Sequence, residues 1–147
     1  QTRASMITSD ELNASAAEYR AITGSYATTR DSGNARWLFH ATTKAAWRRI
    51  KKDGLMRPGK TGILGGGIYW AGTLADAQLK SPHGVGVVIF CPVSLGRIKE
   101  VDTKEEHTYE RLQHEGYDSI IFTGKESLEF VVYDSKQVDV SQCRQLL

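Results

Sequence analysis

Apolar residues in this chain come in short runs, and even the longest, Val85 to Val93, is broken by Gly86 and Pro92. A helix crossing a bilayer needs about 20 consecutive apolar residues, so the chain is expected to be soluble, with no membrane partner. The β-branched and aromatic content of these runs reads as short strands instead. They fall at Trp37 to His40, Ile68 to Trp70, Val85 to Cys91, Gly96 to Val101, Asp118 to Phe122 and Leu128 to Tyr133. A last one is expected at Gln137 to Val140. Gly96 to Val101 is expected to fold back on Val85 to Cys91 as a hairpin, and Thr123-Gly124-Lys125-Glu126 marks a second hairpin turn.

Helices are expected between the early strands. Thr8-Ser9-Asp10-Glu11 has the shape of a capping box ahead of Leu12, Ala16, Tyr19 and Ile22. Thr43 to Asp53 places Ala46, Trp47 and Ile50 on one helical face, with Gly54 as a stop. Thr73 with Asp76 opens another helix, and Thr103 with Glu106 a fourth, which Gly116 ends. Hairpin-joined strands with inserted helices give an α+β domain with antiparallel sheets rather than a doubly wound parallel one. The Gly65-Gly66-Gly67 cluster lacks the G-x-G-x-x-G spacing and precedes a strand, so it is not a dinucleotide-binding fingerprint. One domain over 1–147 is expected, with a leading helix and loop over 1–35 and the core over 36–140.

Composition narrows function only a little. Nineteen basic against seventeen acidic residues leave a net charge of +2, too mild for an electrostatic funnel toward nucleic acid. Cys91 and Cys143 stand far apart and outside any C-x-x-C pair, so neither a zinc site nor a disulfide framework is expected. His83, His107 and His114 are read as surface residues. A chain that starts at Gln1 is expected to have lost a leader or to come from a longer protein, and both an intracellular and a secreted location stay open.

Three residues are polar where a core strand would prefer otherwise: His40, Tyr69 and Glu129. A histidine at a strand end is most often structural, and a strand tyrosine is most often a packed ring with a wet hydroxyl. Glu129 shares its face with Val131 and Tyr133, so its carboxylate is either an edge-strand charge that blocks aggregation or a group with work to do.

Together, Leu38-Phe39-His40-Ala41-Thr42-Thr43, Gly67-Ile68-Tyr69-Trp70-Ala71 and Leu128-Glu129-Phe130-Val131-Val132-Tyr133-Asp134 resemble the His, Tyr and Glu motifs of the diphtheria-toxin-like, poly(ADP-ribose) polymerase-like transferases. Their order and separations agree over about residues 37 to 140. The resemblance implies a split β-sandwich of two antiparallel sheets with flanking helices, and a cleft that takes NAD as substrate with no metal. It implies that His40 binds the adenosine ribose and that the backbone of Ala41 grips the nicotinamide carboxamide, with Thr42 and Gly67 beside it. Tyr69 would stack on nicotinamide and Glu129 would hold the 2′-hydroxyl of the adjoining ribose. His40, Tyr69 and Glu129 are thus the expected catalytic constellation.

The chain departs from that pattern at Ala41, where glycine is usual, and at Ala77 and Lys80, where a serine and a second stacking aromatic are usual. Ser127 replaces the first member of the E-x-E or Q-x-E pair of the arginine-modifying branch. The short span from Val93 to Glu129 favours mono-ADP-ribosylation over polymer synthesis. Lys51, Lys52, Arg57 and Lys60 border a glycine-rich segment, Leu55 to Gly66, that would cover the cleft. The acceptor is expected to be protein rather than nucleic acid, and the chain a monomer. An NAD glycohydrolase and an inactive NAD- or partner-binding module of the same fold are the alternatives, with an RNA 2′-phosphate transferase more distant.

Overall fold

The computed structural model describes residues 34–80 and 86–146. The expected leading helix at Thr8 to Ile22, most of the loop after it, and His83 lie outside the described residues.

Strand β1, Ala35–Thr42, leads into helix α1, Lys44–Asp53, whose start is fixed by Thr43 accepting from the Ala46 amide at 3.0 Å. Gly54, at φ +74°, returns its amide to the Ile50 carbonyl and ends the helix. Trp47 is buried and Ile50 packs against the core cluster around it, as the spacing of the apolar residues requires. Strand β2, Ile68–Ala71, precedes helix α2, Leu74–Leu79, capped by Thr73. Then come β3 (Val87–Ser94), β4 (Ile98–Val101), α3 (Tyr109–His114), β5 (Ser119–Phe122), β6 (Glu129–Val132) and a short β7 (Arg144–Gln145).

The strands run in the order β4-β5-β6-β2-β1-β3-β7. β1 pairs with β3 over eight positions and β2 with β6 over four, but β1 meets β2 only at Phe39 and Ala71. The chain is α+β, and its seven strands form two halves joined at that one pair, β4-β5-β6-β2 and β1-β3-β7. Core residues fill both faces. Leu38, Trp47, Trp70, Ile89, Phe130 and Val132 cluster on one. Phe39, Ala71 and Phe90 pack on the other, next to a third group built on Leu64, Ile120, Val131 and Tyr133.

Four expectations from the sequence are corrected. Gly96 to Val101 is not the hairpin partner of β3: β4 pairs with β5, and in parallel. The Leu95 amide bonds to Asn34, and Gly96, at φ +56°, lies against Asp118, which accepts from the Arg97 amide at 2.9 Å. The chain is thereby turned toward β5, and the free edge of β3 goes to β7. The helix expected from Thr103 begins instead after Thr108, which accepts from the Arg111 amide. Residues 137–140 form no strand; Val138 makes a lone bridge to Val93 between two 3-10 turns. Finally, Cys91 and Cys143 are joined as a disulfide. Sequence spacing hides this pair because β7, which follows Cys143 directly, returns to lie beside β3, which holds Cys91.

Candidate active site

Beyond the Phe39–Ala71 pair, β1 and β2 part, and the gap between them is bridged by a side chain. Nδ1 of His40 lies 2.6 Å from the Tyr69 carbonyl oxygen. A carbonyl only accepts, so Nδ1 carries a proton and donates, and in the neutral ring Nε2 is then the acceptor nitrogen. Burial pushes the His40 pKa below its ordinary value, and the nearby Lys80 ammonium pushes the same way against the opposing backbone bond. The ring also lies 5.2 Å from that of Trp70.

The register places the Ala41 backbone in the same gap. Leu146 donates its amide to the Val88 carbonyl, so the backbone groups of Val88 face β7. Ala41 pairs with Val88 in register, and its own N–H and C=O therefore point away from β3, toward the side where β2 has diverged. A cleft of about 360 Å³ opens there, lined by His40, Thr42, Gly67 and Tyr69, with Arg49 and Arg57 farther along its wall.

Tyr69 is held at its hydroxyl by two bonds. Its hydroxyl donates to the Gly65 carbonyl at 2.5 Å and accepts from the Leu64 amide at 3.0 Å. The Leu64 carbonyl is in turn fixed by the Tyr133 hydroxyl at 2.6 Å and the His107 amide at 3.1 Å. A glycine is needed at 62, because a Cβ there would overlap the phenol of Tyr69. Burial, then the carboxylate of Glu129, raises the Tyr69 pKa. His107 is buried rather than on the surface, and its backbone closes this loop against Leu64 and Gly65. His114 is exposed.

Glu129 sits at the start of β6, between β2 and β5, opposite Ala71 and Phe122. An edge-strand role is thereby removed. Val131 is opposite Tyr69, so Glu129 lies diagonally across from Tyr69 on the same face, at about 7–8 Å along the sheet. The carboxylate is 6% exposed. Its Oε2 takes the Lys80 ammonium and its Oε1 the Lys125 ammonium, the latter at 3.3 Å. A buried carboxylate requires such partners.

His40, Thr42, Gly67 and Tyr69 are thus gathered on one cleft wall with the Ala41 backbone beside them. Glu129 lies off that wall, adjoining Tyr69. The lysine pair on Glu129 was not foreseen. Lys80 stood out only as a missing aromatic, and Lys125 carried no signal beyond its place in the turn four residues before Glu129. Among the described residues, no three His, Cys, Asp or Glu side chains gather to hold a metal ion, and no helix is long and apolar enough to cross a membrane.

The family model of the poly(ADP-ribose) polymerase catalytic domain matches residues 12–145. The chain belongs to that family. A search of curated proteins found no match. The poly(ADP-ribose) polymerase match spans every strand and helix described above, including both halves of the sheet and the gap between them. It makes the chain a domain of the NAD-dependent ADP-ribosyltransferase type, with NAD as the substrate such a domain takes.

Proposed function

We propose that this chain transfers single ADP-ribose units from NAD to an acceptor and releases nicotinamide, with His40, Tyr69 and Glu129 as its catalytic residues. The observation that carries this is the gap between β1 and β2, where an acceptor imidazole nitrogen and an open backbone N–H and C=O meet the strand of the clamped Tyr69, with the buried Glu129 carboxylate one strand beyond it and diagonal to Tyr69. Nε2 of His40 accepts from the adenosine ribose. Ala41 gives its N–H and C=O to the carboxamide, which needs one donor and one acceptor. Tyr69 presents its ring to nicotinamide, and Thr42 and Gly67 complete the wall.

Departure of nicotinamide breaks the bond between its ring nitrogen and the sugar carbon, and the electron pair leaves with the ring, which becomes neutral. The sugar takes on oxocarbenium character. A carboxylate aimed at the 2′-hydroxyl stabilises that positive charge, as in glycoside cleavage. For Glu129 to do so, the Lys80 ammonium gives way to the ribose, and with a third of its side chain exposed it can turn to water. Single-unit transfer suits the six residues, 123–128, that separate β5 from β6, which leave little structure for gripping a growing polymer. The unit of activity is the single domain, 1–147, acting as a monomer.

One observation favours a second reading. Both oxygens of Glu129 are ion-paired, which a non-catalytic NAD-binding module would tolerate. Release of nicotinamide from NAD, followed with and without added acceptor proteins, separates the readings. Acceptor-dependent release with a mass-shifted acceptor is expected. Release to water alone would assign a hydrolase, and binding of NAD with no release would assign the inactive module.

A further inference from the structure

The mild overall charge conceals a sharp asymmetry. Between residues 44 and 60, seven basic residues face the single Asp53, a local charge of +6, so the rest of the chain carries −4 within the total of +2. Lys44, Arg48, Arg49, Lys51 and Lys52 stand exposed on α1, with Arg57 and Lys60 exposed just after it. Arg57 is bonded to Asp53 at 2.7 Å and Lys51 lies over the Trp47 ring. Lys44, Arg48, Arg49, Lys52 and Lys60 have no ion-pair partner among the described residues. By contrast, Lys80, Lys99, Arg111 and Lys125 each meet a carboxylate. A row of cations with no carboxylate partner among the described residues, on a chain that is acidic elsewhere, calls for an anionic ligand.

We propose that the exposed face of α1 is a docking surface for the phosphate backbone of a nucleic acid. Lys44, Arg48 and Lys52 follow one another at four-residue intervals, on successive turns about 6 Å apart along a helix about 15 Å long. A uniformly charged polymer satisfies such a row. A membrane surface would need apolar side chains to insert, and α1 turns Trp47 and Ile50 into the protein instead. A peptide would need side-chain pockets between the charges, and the cleft that α1 borders is lined by Ala46, Arg49, Ile50 and Asp53 rather than by Lys44, Arg48 or Lys52. Arg49 and Arg57 line the cleft that holds His40 and Tyr69, so a strand lying along α1 reaches the mouth of the candidate active site. Binding is independent of NAD turnover and stands or falls separately from the transferase reading.

Fluorescence anisotropy with a labelled 20-nucleotide single-stranded DNA, without NAD, tests this. With about five phosphates neutralised, the log–log slope of affinity against salt is expected near −3.5, a loss of about 100-fold between 50 and 200 mM. Arg48→Gln/Lys52→Gln is expected to reduce that slope by about 1.4 units, and Arg48→Glu/Lys52→Glu to abolish binding. Neither residue lines the cleft. Lys104→Glu/Lys136→Glu, which reverses two exposed cations elsewhere, is expected to leave binding unchanged. Absence of binding, indifference to the Arg48/Lys52 variants, or equal competition by polyglutamate or phosphatidylserine vesicles would overturn the assignment.

Discussion

Glu129→Gln is expected to slow nicotinamide release by about 10²- to 10³-fold while NAD affinity changes only slightly. The substitution keeps the shape of the side chain and removes its negative charge, the property needed when the departing ring leaves a cationic sugar behind. In the proposed site, ground-state binding rests on other groups, namely the Ala41 backbone, the Tyr69 ring and Nε2 of His40, so the loss should appear in kcat rather than KM. The fold should tolerate the change. Lys80 and Lys125 keep 34% and 41% of their side chains exposed, and each can return its ammonium to water once the carboxylate is gone. Turnover measured by nicotinamide release, alongside NAD binding by calorimetry, separates the two effects. Undiminished turnover would remove Glu129 from the chemistry, and loss of NAD binding in step with turnover would make its role one of binding alone.

Cys143→Ala is expected to destabilise the fold by about 2–4 kcal/mol, since the Cys91–Cys143 bond closes a loop of 52 residues and the chain-entropy estimate for such a loop is about 4 kcal/mol. For a domain of this size that lowers Tm by roughly 10 °C. The bond also fastens β7 to β3, and β7 carries Gln145, which accepts from the Trp47 indole at 3.1 Å. Reduction should therefore loosen α1, one wall of the cleft, along with the sheet edge. Thermal melts of the wild type with and without dithiothreitol, and of Cys143→Ala, provide the check. Identical melting in all three would mean that the bond contributes nothing to stability.

Much of this architecture could be read from local pattern. Strands β1, β2, β3, β5 and β6 announce themselves by β-branched and aromatic runs, and Thr43 with Gly54 and Thr73 with Asp76 bracket or open α1 and α2 through side-chain geometry that needs no tertiary context. The motif histidine, tyrosine and glutamate were visible because each is polar inside an apolar strand. Most of what escaped depends on partners distant in sequence. β4 looks like a hairpin strand until Asp118 and Asn34 turn it toward β5. Thr103 is as good a cap as Thr108, and the choice is made by burial of His107 against the Leu64–Gly65 backbone. The disulfide follows from β7 returning to β3, which nothing near Cys143 foretells. Lys80 and Lys125 reach Glu129 from a helix end and a turn, so their shared carboxylate is a fact of packing rather than of pattern. The charge asymmetry could have been counted from the sequence, yet it gains meaning only once α1 is known to bury Trp47 and expose its cations.

A crystal structure with a non-hydrolysable NAD analogue is the most direct test of whether one dinucleotide meets all three motif residues. The expected result is a nicotinamide ring against Tyr69, its carboxamide on the Ala41 backbone, and the Glu129 carboxylate about 3 Å from the ribose 2′-hydroxyl with Lys80 displaced. A dinucleotide bound outside the gap between β1 and β2, or a ribose remote from a Glu129 still held by both lysines, would contradict it.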